Sequence, residues 1–164
     1  MPQPPWIDVS LSRQRLTLQR PGGEPRVWPI STAAAGAGER EGSAATPRGW
    51  HRIRLCIGAG QPEHAVFVGR RPTGEVYSEQ LRAAAPERDW ILTRILWLTG
   101  SEPGRNRGGN VDTLRRFIYI HGTADEATIG QPVSAGCIRM RNADLLALFP
   151  ECRPGMPVRI TESS

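Results

Sequence analysis

The chain contains no lysine: all 21 of its basic residues are arginine. That absence excludes Schiff-base chemistry and any lysine general base. Cysteine is scarce, at three residues, and Cys56, Cys137 and Cys152 lack the Cys-x-x-Cys spacing of a structural zinc site. An odd number also leaves at least one thiol unpaired in a monomer. Aromatic residues make up 6% of the chain and are not interleaved with a basic stripe, which argues against a nucleic-acid-binding surface. No apolar run approaches the ~18 residues of a membrane-crossing helix. The opening segment Met1–Asp8 has neither a positive n-region nor an apolar h-region, so no secretory signal is expected in the chain.

What is present is 164 residues with a net charge of +5, 18 glycines and 15 prolines. The length suits one domain, residues 1–164, with a core that needs no disulfide staples. The glycine and proline content suits a loop-rich β protein better than a helical bundle. The positive balance favours anionic partners, although scattered arginines also follow from a biased codon usage.

Alternating patterns predict strands over Trp6–Leu11, Arg15–Leu18, Val27–Ser31, His51–Ile57, Ala65–Gly69, Arg116–Ile120 and Met156–Thr161. The apolar run Trp90–Leu98 predicts a buried central strand, and Pro157 suggests that the last strand lies on an edge. Helical periodicity predicts a helix over Gly74–Ala85 and a shorter one over Ala143–Phe149 with Asn142 as its N-cap. Thr32–Ala45 reads as an exposed loop, and the glycine-rich Ser101–Thr113 as a long mobile loop able to act as a lid. Cys56 sits in an apolar run and is expected as a core thiol.

Chemistry concentrates between His121 and Met140, which holds one of three histidines and one of three cysteines. His121-Gly122-Thr123 would place an imidazole at a strand end. Ser134-Ala135-Gly136-Cys137 would place a thiol in a tight turn. A free thiol is only a few per cent ionised at neutral pH, so a thiol nucleophile needs a base, and His121 is the natural partner of Cys137. Gly136 lets a carbonyl approach the main chain, with the amides of Gly136 and Cys137 as oxyanion donors. Ser134 would brace the turn. Arg139, two residues beyond, could hold a substrate carboxylate bidentately, or could equally be a surface arginine. Asp125 or the Gly122 carbonyl could orient the imidazole.

At these residues the chain resembles the L,D-transpeptidase catalytic domain, the YkuD family. The matching residues are His121-Gly122-Thr123, then Ser134-x-Gly136-Cys137-Ile138-Arg139-Met140 and Asn142, with Thr46-Pro47-Arg48-Gly49-Trp50 upstream. The resemblance implies a mainly β sandwich or barrel with two short helices, and a thioester acyl-enzyme on peptidoglycan stem peptides. Cys137 would be the nucleophile and His121 the base, with Gly136 in the catalytic turn. Substrate would meet Arg139, Ser134, Gly122 and Ala135. It further implies no cofactor and no metal, a monomer, carbapenem sensitivity and a place in the periplasm or cell envelope. The family's histidine between Ser and Gly is Ala135 here. An L,D-carboxypeptidase or amidase using the same site, and a non-catalytic peptidoglycan-binding module, are the alternatives.

Overall fold

The computed structural model describes residues 1–163 of the 164. Ten strands form one sheet: β1 (Trp6–Ser10), β2 (Arg15–Gln19), β3 (Arg26–Ser31), β4 (Gly49–Ile57), β5 (Ala65–Val68), β6 (Arg71–Val76), β7 (Ile91–Gly100), β8 (Tyr119–Gly122), β9 (Ile138–Met140) and β10 (Pro157–Thr161). Two short helices, α1 (Glu79–Ala84) and α2 (Asn142–Leu148), complete the fold. The order is β4-β10-β1-β2-β3-β9-β8-β7-β5-β6, and an additional β4–β7 pairing closes the first eight strands into a ring. This is the mainly β barrel with two short helices that the motifs imply.

The alternating residues of β1 and β2 explain their place. Ile7, Val9, Leu16 and Leu18 are fully buried inside the barrel while their neighbours face outward. Each buried aliphatic side chain of this size contributes roughly 1.5–3 kcal/mol. α2 adds Leu145 and Leu148 to the same core and packs on β7 and β8. No helix is long and apolar enough to cross a membrane among the described residues.

Several expectations are corrected. The periodicity at Gly74–Ala85 covers two elements. β6 runs through Val76, with Gly74 at φ +88, and α1 starts only after Ser78, whose hydroxyl caps the Leu81 N–H at 3.0 Å. The closing strand is interior and not an edge. β10 lies between β1, in parallel, and β4, antiparallel. Pro157 is tolerated there because it is the first residue of the strand. β8 begins at Tyr119 and not Arg116, because Phe117 adopts φ +56, outside strand geometry. Arg141, not Asn142, is the N-cap of α2. The segment 32–45 is only partly exposed, with Thr32, Ala33 and Ala45 buried. Cys56 is half-buried against the main core.

The loop 101–113 is tied down where a mobile lid was expected. Asn106 is fully buried, donates to the carbonyls of Arg48 (3.0 Å) and Trp50 (2.9 Å), and accepts from the Glu102 N–H (2.9 Å). Gly100 is required beside it, since a Cβ there would collide with the Asn106 backbone carbonyl.

Candidate active site

β8 and β9 run parallel side by side, with His121 opposite Arg139 and Ile120 opposite Ile138. Cys137 immediately precedes β9, so the two adjacent strands bring its thiol and the His121 imidazole to one cleft. That cleft, of about 410 Å³, is lined by Cys137, His121, Arg139, Ser134 and Ala135 together with Arg70, Asp89 and Arg116. Gly122 and Gly136 lie behind this lining, buried in the backbone that supports it.

The thiol is held by main-chain groups. Sγ donates to the Phe117 carbonyl and receives the Tyr119 N–H, both at 3.3 Å. The positive φ of Phe117 turns the chain so that both groups face the sulfur. His121 is 3% exposed, and its Nδ1 lies 2.6 Å from the Gly122 carbonyl. Facing a carbonyl, Nδ1 must carry the proton, so a neutral ring keeps its lone pair on Nε2. Asp125 does not take this role; it pairs with Arg82 at 2.8 Å.

The turn carrying Cys137 is fixed from both sides. The Ser134 hydroxyl donates to the Cys137 carbonyl at 2.6 Å and accepts the Gly136 N–H at 3.2 Å. Thr46, fully buried, donates its hydroxyl to the Gly136 carbonyl at 2.9 Å and accepts the Ala33 N–H at 3.0 Å. Ser134 also bridges to Ala33 through the main chain. The 32–46 loop therefore scaffolds the thiol turn. Gly136 has φ +131, and a Cβ there would approach the Ala45 carbonyl at 3.3 Å and Ile118 Cδ1 at 3.2 Å. Only glycine fits without strain.

Asn142 supports the histidine strand. It is 1% exposed, accepts from the Thr93 hydroxyl (2.5 Å), and donates to the Thr123 carbonyl (2.8 Å) and the Glu126 carboxylate (2.9 Å). Its oxygen occupies the space a Cβ on Gly122 would need, and the Leu92 carbonyl would lie 2.7 Å from that Cβ. Thr93 itself sits at φ +77, an unusual conformation for a β-branched residue that these bonds sustain.

Burial pushes the Cys137 thiol up to about 11, a shift the Tyr119 N–H opposes. Burial likewise lowers His121 to about 4 against the Gly122 carbonyl. Burial thus favours the neutral form of both groups. Arg139 has no ion-pair or hydrogen-bond partner among the described residues, leaving its guanidinium available in the cleft. Arg116 donates to the carbonyls of Gly38 (3.2 Å) and Ala45 (2.6 Å), and Arg70 donates to the Tyr119 hydroxyl (3.1 Å). The cleft mixes apolar walls with a net positive charge, three arginines against Asp89 as its one carboxylate. No group of three or more metal-ligating side chains occurs among the described residues.

Sequence reasoning brought together Cys137, His121, Arg139, Ser134 and Ala135. It missed Arg70 and Asp89, which come from distant loops, and Arg116, which lies just before β8 without a local motif. It also missed the bracing role of Thr46, for which the Thr-Pro-x-Gly turn was the available signal.

Residues 4–160 match the model of the L,D-transpeptidase catalytic domain, YkuD. A putative L,D-transpeptidase YkuD of Bacillus licheniformis is 43% identical over 60 residues, 36% of this chain and 36% of that protein. An L,D-transpeptidase of Mycobacterium smegmatis superposes with a TM-score of 0.57 at 18% identity, covering 95% of this chain and 58% of that one. L,D-transpeptidase 3 of Mycobacterium tuberculosis, in complex with a faropenem-derived adduct, gives 0.57 at 16% identity, over 95% and 59%. The matched segments span 14–36% of the curated relatives' lengths, and the chain covers just under three fifths of these two structures.

Proposed function

The chain belongs to the L,D-transpeptidase catalytic-domain family, YkuD, and from that membership we propose that it is a cysteine acyltransferase on peptidoglycan stem peptides. The observation that carries the proposal is the partly exposed Cys137 thiol sharing a cleft with a buried imidazole whose Nδ1 is committed to the Gly122 carbonyl. Sγ attacks the carbonyl between meso-diaminopimelate and D-Ala while Nε2 of His121 takes its proton. Because both groups start neutral, charge appears only as the tetrahedral oxyanion forms. The Cys137 N–H is the donor for that oxyanion. The Gly136 N–H already serves Ser134, so Gly136 acts through its conformation and Ser134 through bracing. His121 then protonates the leaving D-Ala amine, and an amine from a second stem resolves the thioester into a cross-link.

Arg139, unpartnered in the cleft, binds a substrate carboxylate, and Ala135 at the mouth meets the acyl chain. Water in place of the amine gives L,D-carboxypeptidase activity. This second reading is favoured by Ala135, whose small, exposed side chain leaves the thiol side of the cleft open. The chain would act as a single monomeric domain in the cell envelope. Carbapenems would acylate Cys137, in keeping with the faropenem-derived adduct and the imipenem complex named for two relatives.

The test is incubation of purified protein with disaccharide-tetrapeptide and mass analysis of the products. Cross-linked dimers with free D-Ala are expected. Tripeptide without dimers would establish the hydrolytic reading, and unchanged tetrapeptide would refute both.

A further inference from the structure

A second groove, of about 560 Å³, lies beside β4, the end of β7 and the 101–115 loop, away from the thiol cleft. Arg52, Arg54, Arg107 and Arg115 line it with a single carboxylate, Asp112. Arg52 and Arg54 come from alternating outward positions of β4, at an irregularity where the register to β7 shifts between Ile53 and Leu55. Asp112, one carboxylate against four guanidinium groups, offsets them only in part. Its two oxygens accept the N–H groups of Gly108 (2.6 Å) and Arg115 (3.0 Å), and those bonds with the neighbouring arginines hold its carboxyl down despite burial.

Five arginines elsewhere in the protein are ion-paired. Arg48, Arg82, Arg88, Arg105 and Arg159 all contact carboxylates. Arg54, Arg107 and Arg115 have no ion-pair partner among the described residues. The groove is also built rather than floppy, because buried Asn106 anchors the loop that carries Arg107 and hands its carbonyl to the Thr113 N–H at 3.0 Å. Four guanidinium groups thus surround one concavity that holds a single carboxylate, Asp112.

We infer that this groove binds a linear polyanion, recognised by oxyanions spaced along its backbone. Guanidinium forks suit phosphate or carboxylate oxygens. Leu114 is the only large apolar residue lining the groove and no aromatic ring lines it, so nucleobases find no stacking platform. The concave form fits a chain better than a flat bilayer. Asp112 and Arg115 also border a small neighbouring depression, lined in addition by Glu41, that reaches Arg116, which in turn lines the thiol cleft.

The experiment measures binding of a fluorescein-labelled abasic phosphodiester oligomer and of labelled polygalacturonate across a salt series. Three proteins are compared: wild type, Arg54→Gln/Arg115→Gln, and Arg13→Gln/Arg15→Gln, which removes the same charge from exposed positions elsewhere. Salt-dependent binding of either probe is expected. The groove variant should bind tenfold or more weakly, with the slope of log K against log salt reduced by about 1.5–2 for two lost contacts. The control variant should bind nearly as wild type, and carbapenem acylation should be unchanged in all three. The tighter of the two probes identifies phosphate or carboxylate as the ligand group. Equal weakening in the control would reduce the effect to net charge and overturn the inference. So would absence of binding to both probes.

Discussion

Acid should unfold this protein through two buried histidines before its carboxylates matter. His51 is 1% exposed, with Nδ1 3.0 Å from the Gly49 carbonyl and Nε2 3.0 Å from the Thr113 hydroxyl. Burial lowers it from 6.5 to about 4, and His121 is lowered likewise to about 4. Because the folded values lie below the unfolded one, the stability is fully present above pH 6.5. It is lost as pH falls towards 4, since the unfolded chain takes up protons the folded protein refuses. At pH 5 the unfolded ring is almost wholly protonated and the folded ring scarcely so, which amounts to about 2 kcal/mol per histidine. The two sit on different strands, so the losses add to about 4 kcal/mol, a large part of an ordinary domain's stability. The carboxylates held low, such as Glu39 and Asp112, begin to contribute only as pH falls through their ordinary values, at the bottom of this window and below it. Urea unfolding followed by the fluorescence of the five tryptophans, at pH 7.5 and pH 5, measures the difference. His51→Gln should remove about half of it, whatever its effect at pH 7.5. A loss under about 1 kcal/mol in the wild type, or a His51 ring proton titrating near 6.5 by NMR, would refute the reasoning.

Asn142→Leu should destabilise the fold by about 2–4 kcal/mol, because it strands the Thr93 hydroxyl, the Thr123 carbonyl and the Glu126 carboxylate. Thermal unfolding would register it, and an unchanged Tm would deny the network its role. Arg139→Gln should raise KM for tetrapeptide by about tenfold while carbapenem-independent folding stays intact, as expected for loss of a charged carboxylate contact. A fall in kcat at constant KM would assign Arg139 to the chemistry instead. The acylation rate should be level from about pH 6 to 9 and fall only as His121 protonates towards about 4. A limb centred near 6.5 would contradict a buried neutral imidazole.

Much of the barrel was legible because its strands alternate cleanly. Trp6–Ser10 and Arg15–Gln19 pair as the pattern suggests, and the apolar run before Gly100 is the strand that joins three neighbours. The failures share a physical cause: periodicity does not register long-range contacts. Val76 and Tyr77 fit a helical face, yet Gly74 and Ser78 break the segment into a strand and a capped helix. Asn142 suits a cap, but its amide finds better partners in Thr93 and Thr123. The glycines of 101–113 suggested mobility, whereas one asparagine anchors the loop from within. At the site, the Cys–Gly–His constellation was visible because it lies on two neighbouring segments. Arg70 and Asp89 were not, because tertiary structure alone brings them there.

The central claim is that Cys137 forms a thioester with help from His121, and intact-mass measurement after incubation with a carbapenem tests it most directly. The wild type should gain one adduct, located on the peptide containing Cys137. Cys137→Ala should gain none, and His121→Gln should gain it far more slowly. An adduct that persists in Cys137→Ala, or a wild type that remains unmodified where a family member reacts, would contradict the account.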